Sequence, residues 1–156
     1  MEKASEINER LKQGICKIIV GDIWATAFLY RTGYLMSVGH IFENVRAQTE
    51  IRVLFLNGEE TKACLVYSVY DKKNGRDFSI LELKKSQIKA KVLPISLSKY
   101  SGGKVATMGA GEVLNNFSSA EGEIIGELSI DKDEYLIKIC SEQLGQAGFS
   151  GAPIFS

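Results

Sequence analysis

Ser150 stands in Gly148-Phe149-Ser150-Gly151-Ala152-Pro153, near the end of a 156-residue chain. A serine set among glycines and followed by a small residue and a proline has a hydroxyl that stands clear of the backbone, with neighbouring amides able to turn towards what it attacks. A hydroxyl is a weak nucleophile, so it needs a base, and the base needs a third group to orient it. The one histidine is His40, directly after Leu35-Met36-Ser37-Val38-Gly39. The candidate acid is Asp77, in Arg76-Asp77-Phe78-Ser79-Ile80-Leu81-Glu82-Leu83, where a carboxylate precedes a nearly continuous apolar strand. Asp71 is the rival acid, but Lys72 and Lys73 beside it mark a solvated polar turn. Each position also has a purely structural reading: a surface histidine, and a turn aspartate after Asn74-Gly75.

The elements that must position these residues are mostly strands. Residues 1–14 carry Ile7 and Leu11 among charged neighbours, a narrow apolar stripe on one short helix that docks on its own domain, with Gly14 as its stop. From Ile15 the pattern changes to short runs rich in β-branched and aromatic residues: 15–20, 24–30, 33–38, 51–56, 61–70 and 78–83. Turn signals separate them, including Gly21-Asp22, Thr32-Gly33 and the strong hairpin signal Asn57-Gly58. Six such runs predict a small closed barrel over 15–85 that carries His40 and Asp77. Residues 86–100, with Pro94 among polar residues, form a connector between barrels. Residues 101–156 show about four further strands and carry Ser150, which makes the chain an all-β protein of two packed halves.

The order His, Asp, Ser distinguishes this chain from the subtilisin and α/β-hydrolase orders. At these residues it resembles the chymotrypsin-like (trypsin-like) serine peptidases, and more closely the HtrA-type and other intracellular bacterial members. Three stretches carry the resemblance: Trp24-Ala25-Thr26-Ala27-Phe28-Leu29 with Leu35 to His40, Asp77-Phe78-Ser79-Ile80-Leu81, and Gly148-Phe149-Ser150-Gly151-Ala152-Pro153. The resemblance implies two antiparallel six-stranded-type β-barrels with a short N-terminal helix. It implies a catalytic triad of His40, Asp77 and Ser150, with an oxyanion hole made by the backbone N–H groups of Gly148 and Ser150. Leu144, six residues before the serine, is placed near the floor of an S1 pocket for an uncharged side chain. The expected activity is that of a serine endopeptidase with a peptide or protein substrate and no cofactor. A catalytically silent fold serving as a peptide-binding module is the alternative.

Departures from the family pattern carry expectations of their own. Ala25 and Ala27 stand where glycine is frequent, and Gly39 where alanine is usual; the volume changes are small and are expected to leave the chemistry intact. Phe149 replaces the aspartate that pairs with a newly cut N-terminus in digestive members, which argues against activation by that route. Family members continue for several strands beyond the serine. The second barrel is therefore expected to be truncated here and completed by a missing C-terminal segment or a fused effector domain.

Composition excludes other classes. Lys plus Arg and Asp plus Glu both total 19, so no global field draws nucleic acid or an anionic membrane. No apolar stretch approaches the ~20 residues of a membrane-spanning helix. Cys16, Cys64 and Cys140 are odd in number, far apart and set in apolar runs, which reads as buried thiols in a reducing cytoplasm. One histidine and scattered cysteines do not make a zinc site, so no metal is expected. Ser101-Gly102-Gly103-Lys104-Val105 lacks the spacing of a phosphate-binding loop. An α/β-hydrolase would need its acid and histidine after the serine, where no residues remain to hold them.

Overall fold

The computed structural model describes residues 4–46, 49–85, 87–95, 103–111, 117–129, 134–139 and 150–155. Helix α1 spans Ala4–Lys12 and is followed by strands β1 (Ile15–Val20), β2 (Ile23–Arg31) and β3 (Tyr34–Ser37). A single 3-10 turn, His40–Phe42, leads to β4 (Glu50–Phe55), β5 (Glu60–Asp71) and β6 (Arg76–Leu83). The second half contributes β7 (Gly103–Ala110), β8 (Phe117–Ser129), β9 (Glu134–Ile139) and the two-residue β10 (Ile154–Phe155). The described structure is thus nearly all β with one short helix.

Strands β1 to β6 close into an antiparallel barrel in the order β1-β2-β3-β6-β5-β4. Closure removes every free sheet edge, and alternation along the strands fills the interior. Ala25, Ala27 and Leu29 of β2 meet Ile18, Leu35, Ile51, Val53, Phe55, Ala63 and Leu81 in one core, each at most 2% exposed. The small alanines matter here, because bulky residues from β1, β3, β4 and β6 already crowd the interior. Turns at Gly21, Gly33, Gly58 and Gly75 adopt positive φ, as the turn signals require. At Asn57-Gly58 the side-chain oxygen of Asn57 accepts the Glu59 N–H at 2.9 Å, tightening the β4–β5 hairpin.

The second sheet has the order β10-β7-β8-β9 and, among the described residues, is open and four-stranded. Strand β7 lies against α1, β1 and β2. Between the sheets Leu11, Ile15, Leu93 and Met108 form a second apolar cluster, with Leu11 and Ile15 fully buried. The Leu11 stripe therefore docks the helix on its own chain, and burying that side chain contributes about 1.5–3 kcal/mol. Residues 87–95 are strapped to the barrel by backbone bonds from Lys91 to Gln13 and from Leu93 to Leu29. The Glu59 carboxylate adds bonds from the Lys89 and Ala90 N–H groups.

Two sequence expectations are corrected by the faces of the strands. Strand β6 alternates rather than being buried throughout: Ser79, Leu81 and Leu83 point inward, while Phe78 is 37% exposed. Cys64 is half-buried, because its neighbour Ala63 takes the core-facing position in β5. Cys16 is fully buried, which pushes its thiol pKa strongly upward, whereas Cys140 lies outside the described residues.

Candidate active site

Strand β3 ends at Ser37, and Val38-Gly39 delivers His40 at the rim of the barrel. The close approach at Gly39 is a backbone requirement. A Cβ there would fall on the carbonyl of Val69 and within 2.9 Å of the Phe78 oxygen. The absence of a side chain lets the β5–β6 hairpin press against this peptide. Two hydroxyls hold the same segment: that of the buried Ser79 donates to the Val38 carbonyl at 2.7 Å, and that of the half-buried Ser68 donates to that of Gly39 at 3.3 Å.

Asp77 sits in β6 opposite Tyr70 of β5. Its Oδ1 accepts the backbone N–H groups of Gly39, at 2.7 Å, and His40, at 2.9 Å. Its Oδ2 lies 2.8 Å from Nδ1 of the His40 ring. Burial pushes the Asp77 carboxyl up, but the bonds from the His40 ring and from the two backbone N–H groups outweigh it and hold the pKa below its usual value. An ionised carboxylate only accepts hydrogen bonds, so Nδ1 carries the proton and, in the neutral ring, Nε2 presents a lone pair. Tyr70 flanks the histidine with ring centroids 5.8 Å apart. The His40 and Asp77 side chains are 38% and 34% exposed, which leaves the imidazole accessible to a substrate.

Ser150 is exposed and reaches the same end of the barrel through its backbone. Its carbonyl accepts the Thr26 N–H at 2.9 Å. Gly151 follows with φ +83°, and a Cβ on it would fall on the Thr26 carbonyl, 2.5 Å from Ser37 Oγ and 3.2 Å from Val38 N. The serine is thereby fastened beside the segment from which His40 emerges. Among the described residues no hydrogen bond joins Ser150 Oγ to His40. Such bonds are often long before substrate binds.

Asp71 belongs to the β5–β6 turn, where its carboxylate accepts the Asn74 N–H at 3.2 Å and the Asn74 side-chain amide at 2.6 Å. Gly148 and Leu144, the sequence candidates for the oxyanion hole and the S1 pocket, lie outside the described residues. No group of His, Cys, Asp and Glu among the described residues is arranged to hold a metal ion. Sequence reasoning missed Thr26, Ser37 and Ser79. The available signal was a hydroxyl at a buried position of an otherwise apolar strand, since such groups demand partners.

No family model matches the sequence, and no curated protein does. Similarity is found among solved structures. The Rv3671c protease in its inactive form superimposes with a TM-score of 0.68 at 18% identity, over 99% of this chain and 79% of that one. The inactive serine-to-alanine mutant of Rv3671c from M. tuberculosis H37Rv superimposes with a TM-score of 0.67 at 17% identity, over 99% and 76%. At such identities the likeness is one of fold, and the closed six-stranded barrel followed by a second antiparallel sheet is the chymotrypsin-like arrangement.

Proposed function

We propose that the protein is a serine endopeptidase in which Ser150 is the nucleophile, His40 the general base and acid, and Asp77 the residue that orients the imidazole. The observation that carries this reading is the Asp77 carboxylate, which binds the His40 ring and the His40 backbone together. A carboxylate placed to cap a strand would not need the ring. One that fixes Nδ1–H aims Nε2 outward as a base.

In this mechanism Ser150 Oγ forms a bond to the substrate carbonyl carbon as its proton passes to His40 Nε2. The tetrahedral intermediate collapses, the C–N bond breaks, and His40 returns the proton to the leaving amine. Water then attacks the acyl-enzyme, giving up a proton to His40, which returns it to Ser150 Oγ. The Gly148 and Ser150 N–H groups are assigned to the oxyanion, where losing one donor typically costs about 3 kcal/mol of transition-state stabilisation. The HtrA-like relationship, the protein or peptide substrate and a reducing cytoplasmic setting belong to the same proposal.

A second reading, a catalytically silent fold that binds peptides, draws on the absence of a described bond between Ser150 Oγ and His40. Covalent labelling with a fluorophosphonate separates the two. The peptidase reading expects labelling of the wild type that disappears in Ser150→Ala and His40→Ala. A folded wild type that remains unlabelled overturns it in favour of the binding module.

A further inference from the structure

Thr26 is fully buried on β2, between Ala25 and Ala27, which line the barrel core. Its own side chain therefore faces the other way, towards the second sheet. Three of its polar groups are engaged with three different parts of the chain. The N–H donates to the Ser150 carbonyl at 2.9 Å. The hydroxyl oxygen accepts the Ala110 N–H, at the end of β7, at 2.8 Å. The carbonyl accepts the hydroxyl of Ser37, three residues before His40, at 2.7 Å.

The geometry points to Thr26 as a positioning residue that locks the nucleophile segment, the second sheet and the histidine segment into one frame. This rests on the serine-peptidase reading for its catalytic consequence, though not for its structural content. The residues on either side agree. Gly151 seats its backbone on the Thr26 carbonyl and Ser37 Oγ, where any Cβ would collide. The Ser150 carbonyl is held one bond from the start of this seat, so a shift of β2 relative to β7 moves the serine relative to His40. Threonine suits the position on both counts: its β-branched side chain is at home in a strand, and its hydroxyl satisfies a buried N–H that would otherwise be orphaned.

Thr26→Val preserves the shape and the backbone N–H and removes the hydroxyl, and with it the acceptor for Ala110; Thr26→Ser restores that hydroxyl. Fluorophosphonate inactivation, resolved into a maximal rate and a half-saturating concentration, is compared for wild type, both variants and Ser150→Ala. Misplacing reacting groups by about 1 Å costs up to about a hundredfold in rate. The expected result is a maximal rate lowered at least about tenfold in Thr26→Val, a little-changed half-saturating concentration, and recovery in Thr26→Ser. A wild-type rate in Thr26→Val, or a Thr26→Ser variant as slow as Thr26→Val, overturns the assignment.

Amide hydrogen exchange at residue 26, whose acceptor is the Ser150 carbonyl, reads the same frame without any activity. Exchange accelerated by about tenfold in Thr26→Val relative to the Leu29 amide supports the frame even if the wild type is not labelled and the peptidase reading falls. Unchanged exchange overturns the frame. Loss of Ser150-dependent labelling and loss of the frame are thus separate results.

Discussion

Asp77 grips His40 at two points: its Oδ2 lies 2.8 Å from ring Nδ1, and its Oδ1 accepts the His40 backbone N–H at 2.9 Å. The second bond fixes where the residue starts, and the first fixes how the ring is turned. A side chain held at both ends loses little further entropy when it acts, which is the physical sense of preorganisation.

Asp77→Asn separates these roles. The amide oxygen can still accept the backbone N–H groups of Gly39 and His40, so the fold is expected to lose only about 1 kcal/mol. An Asn oxygen no longer carries the charge that stabilises an imidazolium, and its NH2 can enforce the wrong ring tautomer. Fluorophosphonate labelling of the folded variant is therefore expected to slow by about a hundredfold to ten-thousandfold. Near-normal labelling would remove Asp77 from the proposed triad.

Gly39→Ala tests the reading of sequence departures. By volume alone the exchange is small, and alanine is the residue that the resemblance leads one to expect before the histidine. The structure places the Val69 carbonyl and the Phe78 oxygen where the methyl would go. The β5–β6 hairpin would have to retreat from Gly39, disturbing the Asp77 bonds to residues 39 and 40. Overpacking of this kind typically costs about 1–3 kcal/mol. Urea unfolding of the variant, with an unchanged slope and a lowered midpoint, is the expected outcome.

How much of this could be read from the sequence depends on the range of the interaction that fixes each feature. Strands β1 to β6 were legible because β-branched runs and turn glycines such as Gly21, Gly33 and Gly58 act locally. The pairing of His40 with Asp77 was legible as a proposal because both residues have distinctive chemistry at the ends of such runs. The exposure of Phe78 was not, since an apolar run does not say which face of a strand meets the core. The contacts at Gly39 and the Thr26 bond to Ser150 were also hidden. They are made by backbone atoms of distant segments, which leave no pattern in residue type.

Glu50 predicts the acid limb of stability. It bonds Lys62 and also Lys84, the latter at 2.5 Å, and the two ammonium groups lower its pKa to about 2. Because the folded pKa is depressed, this contribution is fully present above the ordinary carboxylate range. It fades as the pH falls from that range towards about 2. The group is exposed, so salt screens it. Glu50→Gln should flatten the fall in urea midpoint over that pH window, with a smaller difference at high ionic strength. Parallel profiles for the two proteins would show that the network does not contribute.

Gly151 and Gly21 offer a paired test of the seat beneath Ser150. Both adopt positive φ, +83° and +61°, but a Cβ at Gly21 would meet nothing within 4 Å, whereas one at Gly151 falls on Thr26 and Ser37. Gly21→Ala therefore incurs only backbone strain, about 1–2 kcal/mol. Gly151→Ala adds a steric conflict that the segment can relieve only by lifting off β2, releasing the Thr26 N–H from the Ser150 carbonyl. The expected pattern is a modest loss of midpoint with full labelling for Gly21→Ala. For Gly151→Ala it is labelling slowed by at least about tenfold together with faster exchange of the Thr26 amide. If the two variants behave alike, positive φ alone explains Gly151, and the serine does not depend on this seat.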